Sequence, residues 1–409
     1  MAQRLRRLWL ETPEWAWIAL ALALRTAFAL KLGGGYYQTD EHTFASVALA
    51  LAHLGADPGP AAGGSPVPDA LFALGFKLFG PSLLGPRLLE ALVGTFVAAA
   101  VGRATGALTR SREAGRLALA VACVYPFFIY YGGMLLSETS YLALIVPALA
   151  LLGLGLRDES APAFAAGGFL LGLAALSRAE AAPIGLLVLA TAAAAAKKLD
   201  ARALRGLALA ALCWAAPILL WRAYHRVLDS HGGITLLIGT EYIEENEIDT
   251  REAQRAFDAS ELAGRVRDLT GAERDRVLMH EAFAWMAAHP GATARGWAIK
   301  AVNFWRFYPR PNKVYEPNAR IANPSGGLSR SALILVSLLF EPALILGGLA
   351  GLWTLRRRRE LWPQWAFILG TMGIHVFFVS QMRYRLPVMP ALILGAAALI
   401  FPAKGREHD

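Results

Sequence analysis

The sequence predicts an all-α, polytopic membrane protein. Two features of the 409-residue chain carry that prediction. Hydrophobic residues make up 56% of it and charged residues only 17%, more apolar surface than a soluble fold hides. Apolar runs of about twenty residues also recur along its length, enough for a helix to cross a bilayer. The placement of the basic residues then orients these helices. Both cysteines, Cys123 and Cys213, lie inside apolar runs, so no disulfide framework or Cys/His metal pattern is present.

Ten spans are expected: Trp15–Leu32, Leu88–Leu108, Leu117–Leu136, Thr139–Leu156, Ala161–Ser177, Ala181–Ala196, Gly206–Trp221, Ser331–Leu355, Leu361–Ser380 and Pro387–Pro402. The first follows a basic stretch and has no A-x-A-like cleavage site after it, so it reads as a retained span. Val67–Gly80 is too short to span and carries Asp69 and Lys77. It is expected to lie along the outer surface with an amphipathic Thr43–Leu54, as an interfacial helix pair. With the N-terminus inside, the cytoplasmic segments hold 18 Lys/Arg and the short outer segments 6. This is the positive-inside asymmetry, and both chain ends fall in the cytoplasm.

The segment 223–330 is the exception. Between Tyr224 and Gly327 it holds 13 Lys/Arg and 14 Asp/Glu. The net charge of +9 is therefore an orientation signal and not a nucleic-acid surface. Thr270-Gly-Ala-Glu273 reads as a capping box opening a helix to Ala288, with His289-Pro290 as its stop. A second helix is expected over Ala292–Phe307. The Pro-rich stretch from Pro309 to Gly327 reads as a lid-like loop. The expected organisation is an N-terminal membrane module 1–222 with a first outer loop 33–86, a mainly helical outer domain 223–330, and a C-terminal membrane module 331–409.

Candidate chemistry sits on the outer turns. Asp40 and Glu41 are adjacent carboxylates just past the first span. Glu138 lies in the very short second outer loop. Two acids on consecutive outer loops form a candidate pair for proton abstraction and charge stabilisation. The plainer alternative for each is helix capping. Arg178, Arg383 and Arg385 face outward against the positive-inside trend, and Arg87 begins the second span. Arginine suits phosphate oxygens, but these residues could equally anchor lipid headgroups. Within the spans, Arg25, Glu341 and His375 are costly in lipid, and an Arg25–Glu341 pair is conceivable.

Together these pieces resemble the polyprenyl-phosphate-dependent GT-C glycosyltransferases, closest to the protein O-mannosyltransferases and the lipid A aminoarabinose transferases. The resemblance rests on Asp40-Glu-His-Thr-Phe44, Leu71-Phe-Ala-Leu-Gly-Phe-Lys-Leu-Phe-Gly80, Gly85-Pro-Arg-Leu-Leu-Glu-Ala-Leu-Val-Gly94, Leu136-Ser-Glu138, Gly172-Leu-Ala-Ala-Leu-Ser-Arg178 and Arg383-Tyr-Arg-Leu-Pro387. It implies a GT-C-like helix bundle in a bacterial inner membrane, with the active site on the outer face. Asp40 would be the base, Glu41 its support and Glu138 the second acidic position. Arg383, Arg385, Arg178 and Arg87 would hold the donor phosphate. The implied partners are a polyprenyl-phosphate-linked sugar donor, an acceptor protein, lipid or glycan, and membrane lipids. No metal-specific cluster is visible. A divalent cation bridging Asp40, Glu138 and phosphate is the one cofactor left open. Where relatives carry a Pro-Pro pair, this chain reads Gly64-Ser-Pro-Val-Pro-Asp69. A transporter or flippase of a lipid-linked sugar is the alternative reading.

Overall fold

The structure is a computed structural model that describes residues 12–55, 65–196, 200–224, 232–241, 250–308 and 330–403. Among these residues every regular element is helical. In chain order they are α1 (Glu14–Leu32), α2 (Thr39–Leu51), α3 (Pro66–Phe79), α4 (Leu84–Thr109), α5 (Arg112–Val124), α6 (Pro126–Tyr131), α7 (Ser137–Asp158), α8 (Ala161–Ser177), α9 (Ala181–Ala195) and α10 (Ala201–Tyr224). There follow α11 (Gly232–Thr240), α12 (Thr250–Asp258), α13 (Glu261–Val266), α14 (Gly271–Ala288), α15 (Pro290–Phe304), α16 (Arg330–Thr354), α17 (Trp362–Phe377) and α18 (Met389–Ile400). A 3-10 turn over Met382–Val388 leads into α18. The Pro-rich stretch expected as a lid lies outside the described residues.

The chain divides into two compact units. The first comprises Met1–Leu220, Tyr315–Ile368 and Leu386–Asp409; the second comprises Trp221–Val314 and Leu369–Arg385. In the first unit α4 packs on α1, α5 and α7, and α16 packs along α18. Glycine makes that last approach feasible: a Cβ on Gly351 would fall 1.8 Å from the Gly395 carbonyl oxygen. Small residues let helices close in lipid, where no hydrophobic force drives them together. The amphipathic α2 and α3 join through a small core of Ala45, Ala48, Phe72 and Phe76.

Among the described residues six helical segments are long and apolar enough to cross a membrane: Glu14–Leu32, Leu84–Thr109, Ser137–Asp158, Ala201–Tyr224, Ile334–Thr354 and Met382–Ile400. The other expected spans correspond to shorter helices. Ala161–Ser177 and Ala181–Ala195 have 17 and 15 residues. The expected span Leu117–Leu136 is interrupted. Tyr125 is extended (φ −62°, ψ 116°) before Pro126, which opens the six-residue α6. Proline excludes the residue before it from helix geometry and cannot donate to the ladder. The Tyr125 hydroxyl is thereby aimed across the bundle at the Glu341 carboxylate, to which it donates.

In the second unit the capping box at Thr270 and Glu273 opens α14. His289 ends α14 and begins α15. α11 and α14 bury Leu236, Leu237, Leu278 and Ala282 against Phe257 of α12.

Topology has a direct test. In a cysteine-free background, Arg110→Cys and Arg357→Cys, both at exposed positions, should react with an impermeant maleimide only from the cytoplasmic side. Labelling of either from outside sinks the ten-span assignment.

Candidate active site

α1 ends at Leu32, and Gly33 turns the chain with φ +57°, a conformation only glycine adopts without strain. α2 begins at Thr39, earlier than the periodicity predicts. Gln38 is the residue before the helix, Asp40 lies in its first turn, and Glu41 is its third residue. The Gln38 N–H donates to Glu41 Oε2 at 2.9 Å, so Glu41 carries out the capping and not Asp40. Asp40 is exposed, with its charge at a helix N-terminus that favours it.

Glu41 and Arg87 are both wholly buried and meet at 3.0 Å. Glu41 Oε2 accepts the Tyr37 N–H at 2.6 Å, and Oε1 accepts the Leu135 N–H at 3.1 Å. Arg87 donates to the carbonyls of Gly133 at 3.0 Å, Gly35 at 2.6 Å and Gly33. Its guanidinium also lies 5.5 Å from the Tyr37 ring centroid. One ion pair thus ties the loop after α1 to the start of α4 and to the turn before α7. Burial and the Glu41 carboxylate raise the pKa of the Tyr36 hydroxyl beside them.

Glu138 opens the first turn of α7, where it is fully buried. Arg178, just past α8, donates to Glu138 Oε1 at 3.1 Å, to Glu180 Oε1 at 2.6 Å and to Ser137 Oγ at 3.2 Å. Ser140 and Ser177 pair at 3.0 Å beneath it and pin α7 to α8. Asp40 and Glu138 therefore sit on segments stitched together through Glu41 and Arg87, a link the sequence alone does not reveal. Among the described residues no three His, Cys, Asp or Glu side chains converge, and Glu138 is already paired with a guanidinium.

Arg383 and Arg385 lie in the second unit. Arg385 is buried and donates to the carbonyls of Phe304 and, at 2.9 Å, Arg306 at the end of α15. Lys300 of α15 returns the contact, reaching the carbonyls of Phe377 at 3.2 Å and Phe378 at 2.7 Å at the end of α17. Each cation caps the other segment's helix C-terminus. Burial pulls Lys300 down to about 8. His375 stacks on Tyr384 at 4.4 Å, a packing role. Arg25 does not pair with Glu341 but donates to the carbonyls of Ala21, Ala122 and Cys123.

Sequence reasoning did not single out Glu90 of α4 or Lys300, and it took Asp69 of α3 as a mark of an interfacial helix; all three are buried. The signal for Glu90 was present, a lone acid in an otherwise apolar span. Burial pushes Asp69 up to about 7.

Residues 62–221 match the model of the dolichyl-phosphate-mannose-protein mannosyltransferase family. This covers the Leu71, Gly85, Leu136 and Gly172 stretches but begins after Asp40 and Glu41. No curated protein matches the sequence. The fold is similar to the archaeal oligosaccharyltransferase AglB from Archaeoglobus fulgidus, solved with an inhibitory peptide and a dolichol-phosphate. There the identity is 15%, the TM-score 0.51, and the match covers 94% of this chain and 50% of that one. It is also similar to the Archaeoglobus fulgidus oligosaccharyltransferase tethered to an acceptor peptide containing the NVT sequon, at 14% identity, TM-score 0.51, 96% and 50%. The apo form gives 15%, 0.50, 96% and 51%. The chain spans about half the length of these enzymes. The GT-C resemblance carried by the sequence motifs therefore extends to the family model and to the fold.

Two outcomes test the site's construction. Glu41→Gln or Arg87→Met leaves a buried charge without its partner and should cost about 3–5 kcal/mol, read as a loss of thermal stability in detergent. A carboxyl whose folded pKa is raised contributes stability that is lost as pH rises from its unfolded value through its folded one. Asp69, raised from 3.8 to about 7, should therefore lower the melting temperature across that window. Asp69→Asn should flatten that fall and raise Tm at pH 8 more than at pH 4.

Proposed function

We propose that the chain is an inverting glycosyltransferase that moves a sugar from a polyprenyl-phosphate donor to an acceptor hydroxyl at the outer face of the membrane. The observation that carries this reading is the Glu41–Arg87 tie, which joins the Asp40-bearing loop to the turn leading into Glu138. The family match over 62–221 and the oligosaccharyltransferase-like fold support it.

Asp40 is the base. It is exposed on the first turn of α2, within reach of an incoming acceptor. Its carboxylate takes the hydroxyl proton as the acceptor oxygen attacks the anomeric carbon. The bond to the phosphate oxygen breaks on the opposite face, and polyprenyl phosphate leaves with the electron pair. That leaving group needs no acid. Glu41 cannot serve as base without giving up its three N–H donors and Arg87, so it positions the loop.

Arg178 is the phosphate residue of this scheme. It belongs to the same unit as both acids and already touches Glu138. A guanidinium fixed there stabilises charge building on the phosphate. Arg87 is enclosed by Glu41 and three carbonyls and Arg385 by two, so both hold structure. In this scheme Glu138 orients Arg178. The proposed setting is a bacterial inner membrane.

Asp40→Asn should lower sugar transfer by roughly 10²–10⁴-fold while leaving thermal stability within error of wild type. Near wild-type turnover in this variant removes Asp40 as the base. Wild-type protein that moves labelled donor across a vesicle membrane without releasing sugar to an acceptor would favour the flippase alternative.

A further inference from the structure

α4 carries a carboxyl that the scheme above does not use. Glu90 lies about one turn beyond Arg87 and is completely buried. Among the described residues no hydrogen bond of ordinary geometry reaches either of its oxygens, although the Thr139 side chain lies close enough to interact with the carboxyl. Its polar neighbours are Glu138 and Thr139, from the first turn of α7. Arg25, the other buried cation of the α1–α4 contact, is directed at the carbonyls of Ala21, Ala122 and Cys123 and does not serve it.

An unbonded buried carboxyl is costly, and an apolar side chain of similar shape would be more stable there. The acid nevertheless neighbours Glu138, the fully buried one of the two carboxylates that share Arg178. Glu138 is held by Arg178 at 3.1 Å. When a donor phosphate engages Arg178, that contact must loosen, leaving Glu138 buried with its charge less compensated. A carboxylic acid offers one O–H donor, and a hydrogen bond from it would satisfy Glu138 during the exchange.

We infer that Glu90 is a positioning residue for donor binding: its carboxyl O–H donates to the Glu138 carboxylate as Arg178 turns to the phosphate of a polyprenyl-phosphate donor. The exchange moves hydrogen bonds only; the proton stays on Glu90 and no covalent bond changes. It rests on the reading of Arg178 given above, and its test does not depend on sugar transfer.

The test uses the full chain in nanodiscs and reads binding of polyprenyl phosphate without sugar, donor KM, kcat and Tm. Glu90→Leu should bind polyprenyl phosphate about tenfold more weakly, the size of one lost hydrogen bond to a charged group. Donor KM should rise in parallel, while kcat and acceptor KM stay within about twofold and Tm holds or increases. Glu90→Gln, whose amide still donates, should stay within about twofold of wild type throughout. Unchanged donor binding in a folded Glu90→Leu protein overturns the inference. So does equal damage from Gln and Leu, or weaker binding accompanied by a matching loss of Tm. Normal lipid-phosphate binding without sugar transfer in wild type defeats the transferase reading alone. Wild type that binds no polyprenyl phosphate defeats both.

Discussion

The site depends on one buried ion pair. Glu41 and Arg87 are both fully buried, and each has filled its remaining capacity with backbone groups of segments distant in sequence. A buried pair is expensive to desolvate and is justified only when every lone pair and N–H is used. Here nearly all are. Glu41 accepts from Tyr37, Gln38 and Leu135, and Arg87 donates to Gly33, Gly35 and Gly133. The result is a loop whose shape is set by charge as well as by the apolar cluster that Tyr36 and Leu135 join.

Asp40 and Glu41 illustrate how differently neighbours behave. One residue apart on a helix, they point about 100° from each other. Glu41 turns into the bundle and becomes architecture; Asp40 turns outward and is exposed. A reading that treats an acidic doublet as a unit misses this division. Arg178 and Arg87 divide likewise. Both begin as outward arginines in sequence, but one is enclosed by carbonyls while the other is held between the carboxylates of Glu138 and Glu180.

The sequence made the helical class and most helix positions legible, because apolar runs and capping boxes are local signals. Thr270 and Glu273 open α14 where the pattern places it. The break at Tyr125–Pro126 was legible in principle, since proline is its cause, but the apolar run on both sides masked it. The site was legible only as parts. Asp40, Glu138 and Arg178 were visible as outlying charges, but their connection runs through Leu135 and Gly133 backbone groups, which carry no residue-type signature. The Arg25–Glu341 pairing failed for a related reason. Charge suggests charge, but Arg25 found carbonyls and Glu341 found a tyrosine hydroxyl.

The reciprocal capping by Lys300 and Arg385 has a consequence for how the chain is made. Its bonds join residues 78 and 81 positions apart, and the second compact unit is assembled from two separated stretches. At a synthesis rate of about 5–20 residues per second, roughly 4–16 seconds separate the two halves. Throughout that interval the end of α15 has no cation to terminate it, and Lys300 has no carbonyls to meet. A ribosome stalled before residue 385 would therefore carry an unfinished second unit. Quality-control proteases would meet α15 with its last turn open, and truncations in the final quarter of the gene would be felt in a segment encoded long before them.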